Sequence, residues 1–324
     1  MVKRLIACAF LVGCGTFEDP NVVLDLRIIS MTATPPEQMV DVDLSKPLMP
    51  IDLLGQLAPA EVCGLIADPN FERNLRWTMT LCTLSAGRCD GTPTKLGSGL
   101  LSDPDLTTPE PRMCVTVQPD GNLLGTLLEA LDGDTLHGLG GVDYGVSLQI
   151  GGETADPALD QFADKHLRVS PRIPADRAAN NNPSLTGIQA VIDGGSPIPL
   201  PLGRCIDFQP PNLPLSVAPA QKVRLTPIEA DGAREPYVVP TLDGKTRMFT
   251  ESLKYQWVTT GGSLSKGSSG GPHDPFGNPA PLFTDWTAPK PADLAGPTDF
   301  SLWIVQRDER FGEAWYESCL HVEP

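Results

Sequence analysis

Leu253-Lys254-Tyr255-Gln256-Trp257, preceded by Ile228-Glu229-Ala230-Asp231-Gly232, is the stretch on which the fold turns. The first half of the chain carries a faint counterpart. A strand-like segment ends Leu65-Ile66-Ala67-Asp68-Pro69, and Leu75-Arg76-Trp77 follows after a short gap. The repeat places one tryptophan on the third strand of each half.

Working outward, alternating apolar and polar residues recur along both halves. In Val22 to Ile28, Leu24, Leu26 and Ile28 face one way while Asp25 and Arg27 face the other, the period-two pattern of a half-buried strand. Further strand signals are Val62 to Ala67, Leu75 to Cys82, Met113 to Val117, Gly145 to Ile150 and His166 to Ser170. They resume at Ser184 to Ile192, Lys222 to Ile228, Lys254 to Thr259, Phe300 to Gln306 and Trp315 to Val322. Leu123, Leu124, Leu127, Leu128 and Leu131 instead fall at helical spacing, so Asn122 to Leu131 reads as one short amphipathic helix. With 34 Pro and 31 Gly in 324 residues, long helices are excluded as the dominant element. Ser170-Pro-Arg-Ile-Pro and Ala178-Ala-Asn-Asn-Asn-Pro183 are rich in breakers and poor in large apolar residues, which marks residues 173–183 as a linker. Residues 21–172 and 184–324 are then two domains of ordinary size.

A tryptophan on the third strand, packed between two sheets, is the core arrangement of an immunoglobulin-like sandwich. The second half carries the more specific likeness. Tyr255-Gln256-Trp257, Gly261-Gly262, Trp286-Thr287-Ala288-Pro289 and the strand Phe300 to Val305 ending near Asp308 resemble the bacterial immunoglobulin-like and PKD-like modules of cell-surface proteins. The chain departs from that pattern in the Pro-rich insert Gly270 to Pro281 and at Arg310-Phe311-Gly312, where a tighter glycine turn is usual. The expected fold class is all-β, two immunoglobulin-like β-sandwich domains in tandem, with a short helix in the first.

The amino terminus supplies the expected location. Met1-Val2-Lys3-Arg4 is a basic lead, Leu5 to Val12 is an apolar run of eight residues, and Gly13 precedes Cys14. Eight residues are far short of the roughly 20 that a spanning helix needs. Leu11-Val12-Gly13-Cys14 resembles the lipobox of bacterial lipoproteins, which implies a signal peptide over residues 1–13, acylation of Cys14 and attachment to a membrane through that lipid. Residues 14–20 form the tether, and Gly15 after the cysteine favours the outer membrane of a two-membrane cell envelope. Loss of Lys3 and Arg4, with no acid, takes the net charge from −16 to −18. That acidic balance, without a basic run longer than two, argues against nucleic acid as a partner.

Cys8 leaves with the signal and Cys14 carries lipid, so Cys63, Cys82, Cys89, Cys114, Cys205 and Cys319 remain. An even count in an exported protein reads as three disulfides. Six cysteines allow fifteen pairings; position along the chain favours Cys82 with Cys89, Cys63 with Cys114 and Cys205 with Cys319. Zinc would want closely spaced ligand pairs, which the sequence lacks, so no metal and no cofactor is expected.

One string looks catalytic. Gly267-Ser268-Ser269-Gly270-Gly271-Pro272 resembles the nucleophile loop of trypsin-like serine proteases and satisfies G-x-S-x-G, which makes Ser269 a candidate nucleophile with His137 upstream. The sequence that follows, His273-Asp-Pro-Phe-Gly-Asn-Pro279, is neither the apolar strand nor the helix such loops need. His137, His166, His273 and His321 share no ligand spacing. Asp120-Gly-Asn122 and Asp132-Gly-Asp134 look like fragments of a calcium loop but lack its closing glutamate, so they read as turns. The expectation is therefore a non-enzymatic, lipid-anchored envelope protein with a structural, adhesive or binding role toward envelope proteins or glycans. The alternatives are a secreted serine hydrolase using Ser269, and a carbohydrate-binding module presenting Trp303 and Trp315.

Overall fold

The computed structural model describes residues 19–42, 53–69, 74–101, 112–135, 138–241 and 243–323. The signal segment, Cys14 and His137 lie outside the described residues. The first sandwich comprises β1 (Arg27–Thr34), β2 (Glu37–Val40), β3 (Ala60–Ala67), β4 (Leu75–Ser85), β5 (Arg88–Leu101), β6 (Arg112–Val117), β7 (Val142–Gly152) and β8 (Gln161–Pro171). Its sheets run β1-β3-β6 and β2-β8-β7-β4-β5. All neighbours are antiparallel except β2, which lies parallel to β8.

The second sandwich repeats the plan with β9 (Leu185–Ile192), β10 (Ile198–Pro199), β11 (Leu215–Val217), β12 (Lys222–Glu229), β15 (Lys254–Thr259), β16 (Ser263–Leu264), β17 (Ser268–Gly270), β18 (Thr284–Thr287), β19 (Thr298–Arg307) and β20 (Glu313–Val322). Its sheets are β10-β9-β12-β18-β16 and β11-β20-β19-β15-β17, with β11 parallel to β20. The order β9-β12-β18 repeats β1-β3-β6, and β11-β20-β19-β15-β17 repeats β2-β8-β7-β4-β5. Between β12 and β15 a separate hairpin, β13 (Pro236–Pro240) with β14 (Thr246–Thr250), stands off the sandwich.

Alternation drives each core. On β4, Leu75, Met79 and Leu81 are buried against Val62, Val146 and Leu148, and half-buried Trp77 packs beside Gly97 and Gly99 at the sheet edge. On β15, Tyr255 and Trp257 are fully buried with Leu225, Trp286 and Leu302. Trp286 donates its indole N–H to the carbonyl of Gly261, which explains the Gly-Gly turn facing the Trp-Thr-Ala-Pro corner. The turn between β4 and β5 places Ala86 and Gly87 at positive φ, the twist a two-residue hairpin loop requires.

The expected helix is α1 (Gly121–Asp132). Asp120 caps it by accepting from the backbone N–H groups of Asn122 and Leu123, and Leu123 and Leu127 are buried beneath it. The Asp-Gly-Asn string is thus a helix cap. Disulfides join Cys63 to Cys114, Cys82 to Cys89 and Cys205 to Cys319. Cys63 and Cys114 sit opposite each other on β3 and β6, Cys82 and Cys89 close the β4–β5 hairpin, and Cys205 ties a helical turn to β20. None crosses between the two sheets of a sandwich. Three disulfides mark an extracytoplasmic protein. Among the described residues no helix is long and apolar enough to cross a membrane.

The amino-terminal reading needs correction. The first strand begins at Arg27, not Val22, and Leu24 is half exposed. Val22 and Val23 instead lie along the end of β15, where Val23 N–H donates to Thr259 O and Thr259 N–H donates to Asn21 O. The alternation in 22–28 therefore spans a crossing: the chain binds the second sandwich first and enters the first sandwich after Asp25. Asp19 and Pro20, expected in a free tether, belong to this docked strap, with Asp19 accepting from Asn21 and Pro20 accepting from Arg27.

Candidate functional site

The two sandwiches meet along sheet faces. Ile29 of β1 with Leu65 and Ala67 of β3 packs against Val258 of β15 and Trp303 and Val305 of β19, with Val23 buried among them and Trp315 at the margin. β19 is consequently buried on both sides: Phe300, Leu302 and Ile304 face their own sandwich core, while Trp303 and Val305 face the other sandwich. This bears on the carbohydrate-binding alternative, in which Trp303 and Trp315 would present their rings. Trp303 has no exposed surface and cannot offer its ring to a sugar. Trp315 is half-buried, and the guanidinium of Arg112 covers its ring at 5.6 Å.

Beside this apolar contact lies a charged joint. The turn between β19 and β20, Asp308-Glu309-Arg310-Phe311-Gly312, reaches into the first sandwich. Arg310 donates to Glu37 of β2 at 2.5 Å and to Glu251 at 3.4 Å. Glu37, 2% exposed, also accepts from Ser170, from Arg177 and from the backbone of Asn180. Lys165 of β8, 4% exposed, donates to Glu313 and to the carbonyl of Phe311; Ser30 of β1 donates to the same Glu313. Burial pulls the Lys165 ammonium down in pKa, and Glu313 opposes that pull. Phe311 adopts φ 76°, and its ring lies against His166 and beneath Arg168 of β8. The Arg-Phe-Gly departure noted in the sequence is this inter-sandwich plug.

The segment expected as a linker is a strut. Asn180 is fully buried and donates to Asp308 and to Arg310 O; Asn181 donates to Glu235; Asn182 donates to Ala33 O and accepts from the Glu313 backbone. Of the three, Asn182 bridges the domains through its amide, donating to one sandwich and accepting from the other, while the Asn180 and Asn181 amides act as donors to the second sandwich and the Asn180 Oδ1 is buried without a partner among the described residues.

Glu251 is the most perturbed acid of the joint. Burial and the neighbouring Asp308 push its carboxyl up to about 7, against the opposing pull of the Glu235 N–H and Arg310. Burial likewise raises Asp308. A carboxyl whose pKa rises on folding favours the folded chain when protonated. Its contribution is full below its ordinary value of 4.5 and is lost as pH climbs through about 7. We expect Glu251→Gln to flatten the fall in unfolding free energy between pH 5 and 7.5, by at most about 1.4 kcal/mol per pH unit. Urea unfolding of both chains across that range measures it; parallel slopes contradict the assignment.

Ser269 has a different place from the one its motif suggests. It lies on β17 opposite Tyr255, is 6% exposed, accepts from the Trp257 indole N–H at 2.9 Å and donates to Leu282 O at 2.9 Å. Gly270, at φ 70°, turns the chain directly after it. The hydroxyl is therefore a polar bridge over the core tryptophan. Replacing it with alanine leaves an indole N–H and a carbonyl unpaired, at a cost of about 1–3 kcal/mol in urea unfolding; an unchanged midpoint would contradict that role. Among the described residues the one clustering of metal-ligating side chains is Glu61 with Cys63 and Cys114, and both sulfurs are consumed by their disulfide.

The strand order repeated in both halves defines the class: a tandem pair of immunoglobulin-like β-sandwiches, mostly β, with the short α-helix α1 and a few helical turns among the described residues. No protein-family model matches the chain, and no curated protein matches it. Solved structures similar to it include the native alpha-2-macroglobulin of E. coli, at 12% identity, covering 94% of this chain and 17% of that one, with a TM-score of 0.23. Dimeric latent PorU from Porphyromonas gingivalis aligns at 10% identity over 92% of this chain and 34% of its own, with a TM-score of 0.19. The collagen adhesin of S. aureus aligns at 8% identity over 91% and 92%, with a TM-score of 0.15. The chain thus spans about a sixth of the macroglobulin and a third of PorU. Likeness at this level carries no argument about activity, and the class rests on strand order and register.

Proposed function

We propose that this is a lipid-anchored protein of the cell envelope whose paired sandwiches serve a non-enzymatic structural, adhesive or binding role. The observation that carries the reading is the lipobox Leu11-Val12-Gly13-Cys14 on a chain whose other paired cysteines form three disulfides. Absence of catalysis is supported by the engagement of Ser269 on both sides, since a hydroxyl that caps a buried indole is not poised to attack a substrate. The expected partners are the membrane, through the acyl chains on Cys14, and an envelope protein or glycan.

Expression in a bacterial host tests the anchor. The wild-type chain should fractionate with membranes and carry a mass increment on an amino-terminal Cys14, and Cys14→Ala should become soluble. An unmodified amino terminus on membrane-free protein sinks the reading. A fluorophosphonate probe tests the second element, and covalent labelling of Ser269 would reinstate the hydrolase.

A further inference from the structure

We propose that the cleft between the 138–140 turn of the first sandwich and the β13–β14 hairpin of the second binds an amphipathic organic oxyanion, its head on arginine and its apolar body along the hairpin. This inference is independent of the anchor and of any envelope partner.

The cleft has a volume of about 640 Å³. Its walls are Leu139, Val238, Val239 and Pro240, and Leu139 and Val239 keep 37% and 39% of their surface exposed. Among the described residues β13 pairs with β14 alone, which leaves one backbone edge of this wall without a strand partner there. Arg168, Arg177 and Arg310 converge on the same cleft in a chain of net charge −16. Three guanidinium groups beside an apolar wall match a planar or tetrahedral oxyanion carried on hydrocarbon.

The charges around them do not cancel the site. Arg168 is held by Asp143 through two hydrogen bonds, and Glu37 serves both Arg177 and Arg310. Glu251, the second acid on Arg310, is held partly protonated near neutral pH by its burial. Of the acids nearer the rim, Asp243 pairs with Lys245, Glu309 takes the Tyr237 hydroxyl and Glu235 takes Asn181. One donor is left over. Arg177 is nine-tenths buried, its Nη2 is used by Glu37, Gly140 and Ser170, and its Nη1 has no hydrogen-bond partner. A buried guanidinium N–H left unsatisfied is costly; this atom has no exposed surface of its own, so an oxyanion in the cleft satisfies it through a small turn of the Arg177 side chain toward the cleft.

Titration calorimetry on the full mature chain carrying Cys14→Ala, so that no acyl group competes, tests the proposal with octanoate, octyl phosphate and octanol. Saturable one-site binding of octanoate or octyl phosphate is expected, with octanol at least tenfold weaker, and the better of the two anions identifies the head group. Arg177→Gln should weaken the anion at least tenfold. Because that change also touches the joint, Leu139→Glu supplies an exposed test: it should weaken the anion tenfold with an unchanged urea midpoint. Octanol binding as tightly as the anions, no saturable anion binding, or wild-type affinity in Leu139→Glu would each overturn the assignment.

Discussion

Replacing Arg310 with alanine should cost the folded chain about 3–5 kcal/mol, the range for removing one partner of a buried ion pair. The side chain is bonded to Glu37 and Glu251, each 2% exposed, and its guanidinium also stacks on Tyr237 at 5.0 Å. Truncation leaves the Glu37 carboxylate, and above about pH 7 that of Glu251 as well, with far less compensation in a site that water scarcely reaches. Glu37 keeps Ser170, Arg177 and Asn180, so the loss falls at the lower end if these close around it. Glu251 keeps only the Glu235 backbone N–H. Urea unfolding followed by tryptophan fluorescence checks the size of the effect. A loss under 1 kcal/mol would mean that the joint is wet and the pair weakly coupled.

Trp303→Ala should be comparably severe, again about 3–5 kcal/mol, but for a different reason. The indole is fully buried between sandwiches with Val258, Ile29, Leu65 and Val305 as neighbours, and β19 is fixed on its other side by the core of its own domain. The surroundings have little freedom to collapse into the space, so the cavity persists. The distinguishing readout is the shape of the transition: the wild type should unfold in one step and the variant in two, because the lost contact is between domains. A single step retained at an unchanged midpoint would show that the apolar contact between the sandwiches adds nothing.

Elements with a periodic signature were legible from residue order alone. Lys254 to Thr259 and Lys222 onward emerge as strands where the alternation starts, and the leucine spacing of α1 marks the helix to within a residue at each end. The disulfide partners follow the favoured pairing because each pair was close in sequence or left over after the close ones. What escaped was whatever depends on distant polar partners. Glu37 and Arg310 are 273 residues apart, and neither belongs to a pattern. The three asparagines look like a spacer because nothing in their neighbours reveals the distant groups they bond, Asp308, Glu235, Ala33 and Glu313 among them. β5 was missed because half of Arg88 to Leu101 is Thr, Gly, Lys and Pro, an edge strand with an exposed face and no need to alternate. Ser269 misled in the opposite direction: its glycines serve a strand end and a turn, and the motif carries no information about what its hydroxyl touches.

In both sandwiches an early short strand lies alongside the last one in the same direction, β2 with β8 and β11 with β20. Tension drawn along the chain would stress those backbone bonds lengthwise and all at once, whereas antiparallel hairpin ends peel apart bond by bond. In each lobe that pair lies behind the strand by which the chain enters, β1 in the first and β9 with β10 in the second, so a pull would reach the shear-resistant geometry only once those strands bear load.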